Sequence, residues 1–260
     1  MKLIFFLIFF SLFPLWSIDL NLPVSSMHNA TSGLSLIHST PSSSAVNPAV
    51  FYSGLESSAT QLFGLSELPY YNLHAGYSFG QLKLHLGQSY LDHELYKEGS
   101  TQLSLNYKWR SLSMGIGLRR LYNKVQGYQE ASVFLTDAGI MWQFDNISSA
   151  LAVRNIAQTK FLGLSLPLTI LLESCYQFTS KSRIAVGLEK QDDFDFSFKF
   201  AAKYQPYALL SILAGYQFEP DRIGLGTLFH LKRFKLGYSV RTHQYLDLTH
   251  YVSIGYEIQD

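Results

Sequence analysis

Charge is scarce in this sequence: only 15% of its 260 residues are Asp, Glu, Lys or Arg, and the 20 basic residues nearly cancel the 19 acidic ones. A formal charge of +1 offers no basic field to hold a phosphate backbone, so a nucleic-acid partner is not expected. The single cysteine, Cys175, cannot close a disulfide within the chain or supply a cysteine cluster for zinc. Past the N-terminus, no stretch reaches the roughly 20 apolar residues of a membrane-spanning helix without a charge, Gly or Pro. Catalytic signatures are missing as well: there is no Gly-x-Ser-x-Gly elbow, no phosphate-binding glycine loop and no dinucleotide fingerprint. The histidines (His28, His38, His74, His85, His93, His230, His243 and His250) show no HxxxH, HxH or Cys/His ligand spacing. Asp92, His93 and Glu94 crowd together, but adjacent residues in a loop point different ways. No enzyme activity, no cofactor and no metal are therefore expected.

Aromatic residues, by contrast, are abundant: 19 Phe and 17 Tyr within a chain that is 47% hydrophobic. Few charges and many rings exclude intrinsic disorder. Yet the mean hydropathy is only +0.07, so the apolar surface is evenly diluted with polar residues. At the N-terminus, Lys2 precedes an almost unbroken apolar run from Leu3 to Trp16, with the small Ser17 behind it. That pattern predicts a secretory signal peptide over residues 1–17. No Cys follows the run, so lipidation is not expected.

From about residue 73 to 258 the chain alternates with period two, placing every second side chain on one face of an extended strand. In residues 102–109, Leu103, Leu105, Tyr107 and Trp109 share one face, and Gln102, Ser104, Asn106 and Lys108 the other. Similar runs follow Leu82, Leu112, Ile140, Phe194 and Phe234. Turn signals separate them at Gly80, Arg110-Ser111, Asp145-Asn146, Thr179-Ser180-Lys181, Gln205-Pro206 and Glu219-Pro220-Asp221, with longer loops expected at 89–100 and 121–136. Short turns alternating with long ones predict an all-β, up-and-down antiparallel barrel of about 14 strands, with 12 as the fallback. About 13 strands are expected after residue 72, and Gly33 to His38 would add one, while Phe51 to Leu65 suits short helical turns.

Several strands end in aromatic-x-aromatic just before the turn: Tyr77/Phe79, Tyr107/Trp109, Trp142/Phe144, Tyr176/Phe178 and Tyr216/Phe218. Rings with an apolar body and a polar tip suit the boundary of hydrocarbon and water, where membrane barrels wear aromatic girdles. Alternation alone does not separate such a barrel from a soluble sandwich, whose apolar face looks inward. The signal peptide, the ring-bearing strand ends and polar faces rich in Gly and Ser favour the membrane barrel, placed in the outer membrane of a double-membraned bacterium. Parity then turns a mixed set of charges toward the lumen: Lys83, Lys108, Arg119, Arg154, Glu173, Arg183, Asp195, Lys199, Lys203, Arg222, Lys235, Arg241 and Glu257, with Cys175 also inward. Pairing among them would hold a plug or narrow the pore rather than make an ion filter of one sign.

Residues 18–72 alternate less cleanly, and here a family resemblance enters. Leu22-Pro-Val-Ser-Ser26, then Gly33-Leu-Ser-Leu36, then Ser43-Ser-Ala-Val-Asn47-Pro48-Ala49 resembles the opening of the PorV/PorQ outer-membrane barrel proteins. Ala150-Leu-Ala-Val-Arg154-Asn155-Ile-Ala157 is similar to that family's strand ending in Arg/Lys-Asn-Leu-Gly. Val50-Phe51 replaces the usual Gly-Leu, and Ala157 stands where Gly is usual. The resemblance implies a barrel like that of the long-chain fatty-acid transporter FadL, with N-terminal residues folded into the lumen and Asn47 and Pro48 in or near that plug. The division expected is a plug or linker with a first strand over 18–72 and the barrel over 73–260. Functionally, the resemblance implies a non-enzymatic component or shuttle of type IX-like secretion, with outer-membrane lipid, secretion-system proteins or secreted cargo as partners. The alternative is a passive transporter of hydrophobic small molecules of FadL type.

Overall fold

The computed structural model describes residues 24–192 and 194–258; the expected signal peptide lies outside them. Fourteen strands close a barrel: β1 (Gly54–Gln61), β2 (Pro69–Phe79), β3 (Leu82–Asp92), β4 (Tyr96–Trp109), β5 (Leu112–Val125), β6 (Ala131–Phe144), β7 (Ile147–Arg154), β10 (Thr169–Thr179), β11 (Ser182–Gln191), β12 (Ser197–Tyr207), β13 (Leu210–Phe218), β14 (Arg222–Leu231), β15 (Phe234–Arg241) and β16 (Thr249–Glu257). A small hairpin, β8 (Lys160–Phe161) and β9 (Leu164–Ser165), decorates the β7–β10 connection. Every barrel pairing is antiparallel, and the ring closes where β1 meets β16, from Gly54 opposite Glu257 to Gln61 opposite His250. Closure leaves no open sheet edge, which hydrocarbon requires because it offers the backbone no hydrogen-bond partner.

The alternation read from the sequence sets which way each side chain points. Leu103, Leu105, Ile116, Phe200, Leu225 and Val252 are exposed on the outer face, while Gln102, Ser104, Asn106, Ser211 and Ser239 are buried inside. Apolar outside and polar inside is the arrangement of a barrel in lipid, the reverse of a soluble sandwich. One rim carries two-residue turns, at residues 80–81, 110–111, 145–146, 180–181, 208–209 and 232–233. Connections at the opposite rim are longer, reaching residues 155–168.

Several expectations need correcting. The first barrel strand is β1 at Gly54–Gln61, not Gly33 to His38; β1 was hidden because its outer face carries Ser57 and Ala59, so its apolar contrast is weak. The boundary at 72/73 cuts β2, which starts at Pro69, and residues 24–53 precede the barrel. The long loops expected at 89–100 and 121–136 are mostly strand, because β3 to β6 continue through polar residues such as Lys97 and Glu98 to turns at 93–95 and 126–130. The predicted turn at Gln205-Pro206 is a register shift within β12, with the turn itself at 208–209. Phe178 was expected to be the last residue of its strand, but β10 runs on to Thr179, which pairs with Ser182, and the turn is confined to 180–181. The reason is a register shift between Gln177 and Thr179: Gln177 faces Arg183 and Thr179 faces Ser182, so Phe178 is an extra residue with none opposite it.

Candidate functional site

The interior of the barrel holds the chain's own N-terminal segment. Residues 24–50 are almost all buried, although only two short helices, α1 (Ser26–Ala30) and α2 (Ser43–Val46), give them regular structure. Their polar backbone is satisfied by the wall. Ser239 on β15 donates to the Ser26 carbonyl at 2.7 Å, and Arg241 donates to the Asn29 side-chain oxygen at 3.1 Å. Glu173 on β10 accepts from the backbone N–H groups of Ser35 (2.8 Å) and Leu36 (3.2 Å) and from the Ser35 hydroxyl. Lys235 donates to the Ser39 carbonyl at 3.0 Å, and Glu56 on β1 accepts from the Ser42 N–H at 3.2 Å. The segment thus circles the inner wall before entering β1 at Gly54.

Asn47, Pro48 and Ala49, picked out by the resemblance, sit against β4 to β6. The Asn47 side-chain oxygen accepts from the Ala49 N–H at 2.9 Å, closing a tight turn. Asn106 on β4 donates to the carbonyls of Pro48 (3.1 Å) and Ala49 (2.7 Å). Two inward glycines make room for this approach: a Cβ on Gly115 would overlap the Pro48 carbonyl group, and one on Gly139 would strike the Asn47 side chain. Here small residues on the inner face let the backbone of the segment lie directly against the wall.

Arg154 and Asn155 lie elsewhere, near the long-loop rim. Arg154 is buried and 3.9 Å from Glu189, which pairs with Lys199 at 2.9 Å. Asn155, with φ of 55°, donates its N–H to the Asp137 carboxylate at 2.9 Å and its side-chain amide to the Leu166 carbonyl at 2.8 Å. It anchors the 155–168 loop rather than the lumen segment. Asp137 also pairs with Arg119 at 2.9 Å. These ion pairs join neighbouring parts of the wall instead of bridging the lumen; Glu56, Glu173, Lys235 and Arg241 hold the segment by hydrogen bonds, and Lys83 lies over the Phe51 ring at 5.0 Å. Asp195 falls in the 192–196 loop and is exposed, because β12 begins only at Ser197. Lys108 is also exposed, at the short-turn rim.

All ten girdle candidates face outward and none is buried. Phe79, Trp109 and Phe144 are the last residues of strands that run in the same direction, so Tyr77/Phe79, Tyr107/Trp109 and Trp142/Phe144 share the short-turn rim. Tyr176 and Phe178 lie at that rim too, although Phe178 sits at the β10 register shift one residue short of the strand end. Phe178 nevertheless stays on the outer surface, exposed beside Tyr176. Tyr216/Phe218 finishes β13, which runs the other way, and therefore belongs to the long-loop rim. The adjacent rings Tyr77/Phe79 and Tyr176/Phe178 meet edge to face at 4.7 and 4.6 Å. Phe234 and Tyr256, 5.2 Å apart, lie at the short-turn rim as well; sequence reading missed them because neither belongs to a spaced pair at a strand end. Glu56 was missed with β1 itself. Two spaces lie beside the segment: one of about 500 Å³ bordered by Phe51, Tyr52, Lys83, Lys235 and Glu257, and one of about 50 Å³ bordered by His74, Glu98, Arg119 and Arg154.

No protein-family model matches the chain, nor does any curated protein sequence. Solved structures do resemble it. A Pseudomonas aeruginosa FadL homologue superposes with a TM-score of 0.64 at 11% identity, over 92% of this chain and 99% of that one. The deltaS2S3 mutant of the TodX monoaromatic hydrocarbon channel gives 0.66 at 10% identity, over 90% and 99%. Nothing in these comparisons supports the PorV/PorQ assignment, and at such identities what this chain shares with the two proteins is their fold, a FadL-like antiparallel barrel.

Proposed function

We propose that the chain is a passive, non-enzymatic outer-membrane transporter of small hydrophobic molecules, its lumen closed at rest by residues 24–53. The observation that carries this reading is a closed barrel, like those of the FadL homologue and the TodX channel, whose inside is filled by its own N-terminal segment. An apolar strip inside the lumen suits apolar cargo: Leu34, Leu36, Ile37, Val46 and Val50 from the segment meet Leu171, Cys175, Ala185 and Ala201 from β10 to β12. The short-turn rim is then periplasmic and the long-loop rim extracellular, following the usual asymmetry of such barrels. Export of secreted proteins, the reading that came from the PorV/PorQ resemblance, has no comparable observation behind it.

The test is uptake of a labelled monoaromatic hydrocarbon by cells that make this chain as their only barrel of the kind. Uptake is expected to fall on deletion of the gene while protein secretion stays intact. Unchanged uptake together with lost secretion would replace the transport reading by the export one.

A further inference from the structure

Four histidines that are scattered in the sequence converge inside the barrel. His28 of α1 and His38 set their rings edge to face with centroids 4.1 Å apart. His74 on β2 and His85 on β3 stack, the Nδ1 of one lying 3.3 Å from the Nε2 of the other. All four are buried; one pair belongs to the lumen segment and the other to the wall. Hydroxyls serve one nitrogen of each segment ring: Ser25 (3.1 Å) and Ser42 (3.4 Å) on His28 Nδ1, Thr40 (3.0 Å) and Ser43 (3.4 Å) on His38 Nδ1. Among the described residues, Nε2 of His28 and Nδ1 of His85 have no partner, whereas backbone at Leu34 lies within reach of the His38 ring and backbone at Val24 within reach of the His74 ring. An imidazolium must donate from both nitrogens, so the His28 and His85 rings are housed as the neutral form.

The surrounding charges decide what protonation would do. His28 is within electrostatic reach of His38, His74 and Lys199 of β12, and His38 of Lys203 of β12 and Lys235 of β15. Across the small space beside His74 stand Glu98 of β4, Arg119 of β5 and Arg154 of β7, with Arg119 already paired to Asp137. One carboxylate approaches the segment pair: Glu56 of β1 accepts from the Ser42 N–H, and the Ser42 hydroxyl touches both His28 and Ser25. A proton on either ring would meet the other ring and these lysines at close range, with Glu56 one hydroxyl removed.

We propose that this cluster is a proton-operated latch: acidification charges the paired histidines and drives the N-terminal segment off the wall, opening the lumen. Burial, then the neighbouring histidines, holds His28 well below the ordinary 6.5, and burial, then Lys203, holds His38 at about 3. Because both folded values lie below that of an exposed ring, the seated segment keeps its full stability above about 6.5. That stability is lost as the pH falls from there toward 3. The latch does not depend on what crosses the barrel, so failure of the transport reading would leave it standing.

Cys175 is a built-in reporter, being the sole cysteine and lying in the apolar cluster that Leu34, Leu36 and Ile37 complete. The intact protein in lipid vesicles is treated with 4,4′-dithiodipyridine, which reacts with thiols in acid as well as at neutrality. Rates are normalised at each pH to the urea-unfolded chain, and heat-modifiable gel mobility confirms that the barrel persists. Labelling is expected to rise roughly tenfold between about pH 7.5 and 4.5, the equivalent of one pKa unit of linkage. The rise should vanish in the double variant His28→Gln, His38→Gln. Should that variant not assemble, His74→Gln with His85→Gln, which alters only the wall, should move the transition to lower pH. Protection of Cys175 at low pH in the wild type, or an unshifted rise in the variant that assembles, would overturn the latch.

Discussion

A single carboxylate can hold a strand-free stretch of chain when it collects several donors at once. Glu173 does so in the lumen: it takes the N–H groups of both Ser35 and Leu36 and the Ser35 hydroxyl, and it is fully buried. Hydrogen bonds to a charged group contribute about 1.5–3 kcal/mol each, and a buried donor left unpaired costs about 1–3 kcal/mol. Glu173→Gln keeps an acceptor oxygen and is expected to cost about 1 kcal/mol, whereas Glu173→Leu strands both N–H groups and is expected to cost about 3 kcal/mol. Urea unfolding of the protein in lipid bilayers would check the order; equal losses for the two substitutions would show that Glu173 does not pin the segment. Parity alone pointed Glu173 inward. What it grips was not legible, because Ser35 is 138 positions away in sequence and nothing local marks it as a partner.

At the level of elements, legibility followed apolar contrast. β4, β5 and β15 place Leu, Ile or aromatic residues against polar or small ones and could be read directly, while β1, with Ser57 and Ala59 on its outer face, could not. Strand ends were legible unevenly: the aromatic pair on β10 marked its rim to within a residue, although the register shift that leaves Phe178 unopposed carries no signal in side-chain alternation, whereas the polar ends of β3 to β6 at the other rim were misplaced by several residues. The lumen segment was harder still, since it packs against a polar wall and so has no reason to carry a hydrophobic period. Its imprint is instead in the glycines facing it. Gly115 and Gly117 are alike in sequence, yet a Cβ on Gly115 overlaps Pro48 while one on Gly117 meets only Ser104 and Asp137 at 3.3 and 3.5 Å, with Gln102 at 3.5 Å. β5 is paired along its length on both sides, so the segment rather than the strand should yield. Gly115→Ala is therefore expected to raise ion conductance in planar bilayers at neutral pH, and Gly117→Ala to leave it near the wild-type value. Equal effects of the two would mean that Asn47 to Ala49 do not seal the lumen at this point.

For the whole molecule, wall and filling are held by different forces. The wall is a continuous ring of strand-to-strand backbone hydrogen bonds faced with lipid-directed apolar side chains, and residues 24–52 take no part in that ring. The filling is held by polar side chains of the wall that water could satisfy equally well and by small apolar clusters around Leu34 and Met27. Removal of residues 24–52 should therefore leave a folded barrel, because Glu56, Glu173, Lys235 and Arg241 would become hydrated rather than orphaned. The pore so bared has a sign. Among the described residues, the inward cations Lys83, Arg119, Arg154, Arg183, Lys199, Lys203, Lys235 and Arg241 outnumber the inward carboxylates Glu56, Glu98, Asp137, Glu173, Glu189 and Glu257. Asp137 and Glu189 are moreover already matched by Arg119 and Lys199. An excess of one charge lining a narrow aqueous path enriches ions of the other sign. The truncated chain is expected to migrate as a heat-modifiable barrel and to conduct ions, with a reversal potential in a KCl gradient that favours chloride, whereas the intact chain conducts little at neutral pH. A truncated chain that assembles yet stays closed would show that the lumen is blocked by the wall itself, and one that prefers potassium would show that Glu56 and Glu173, once released from the segment, dominate the field.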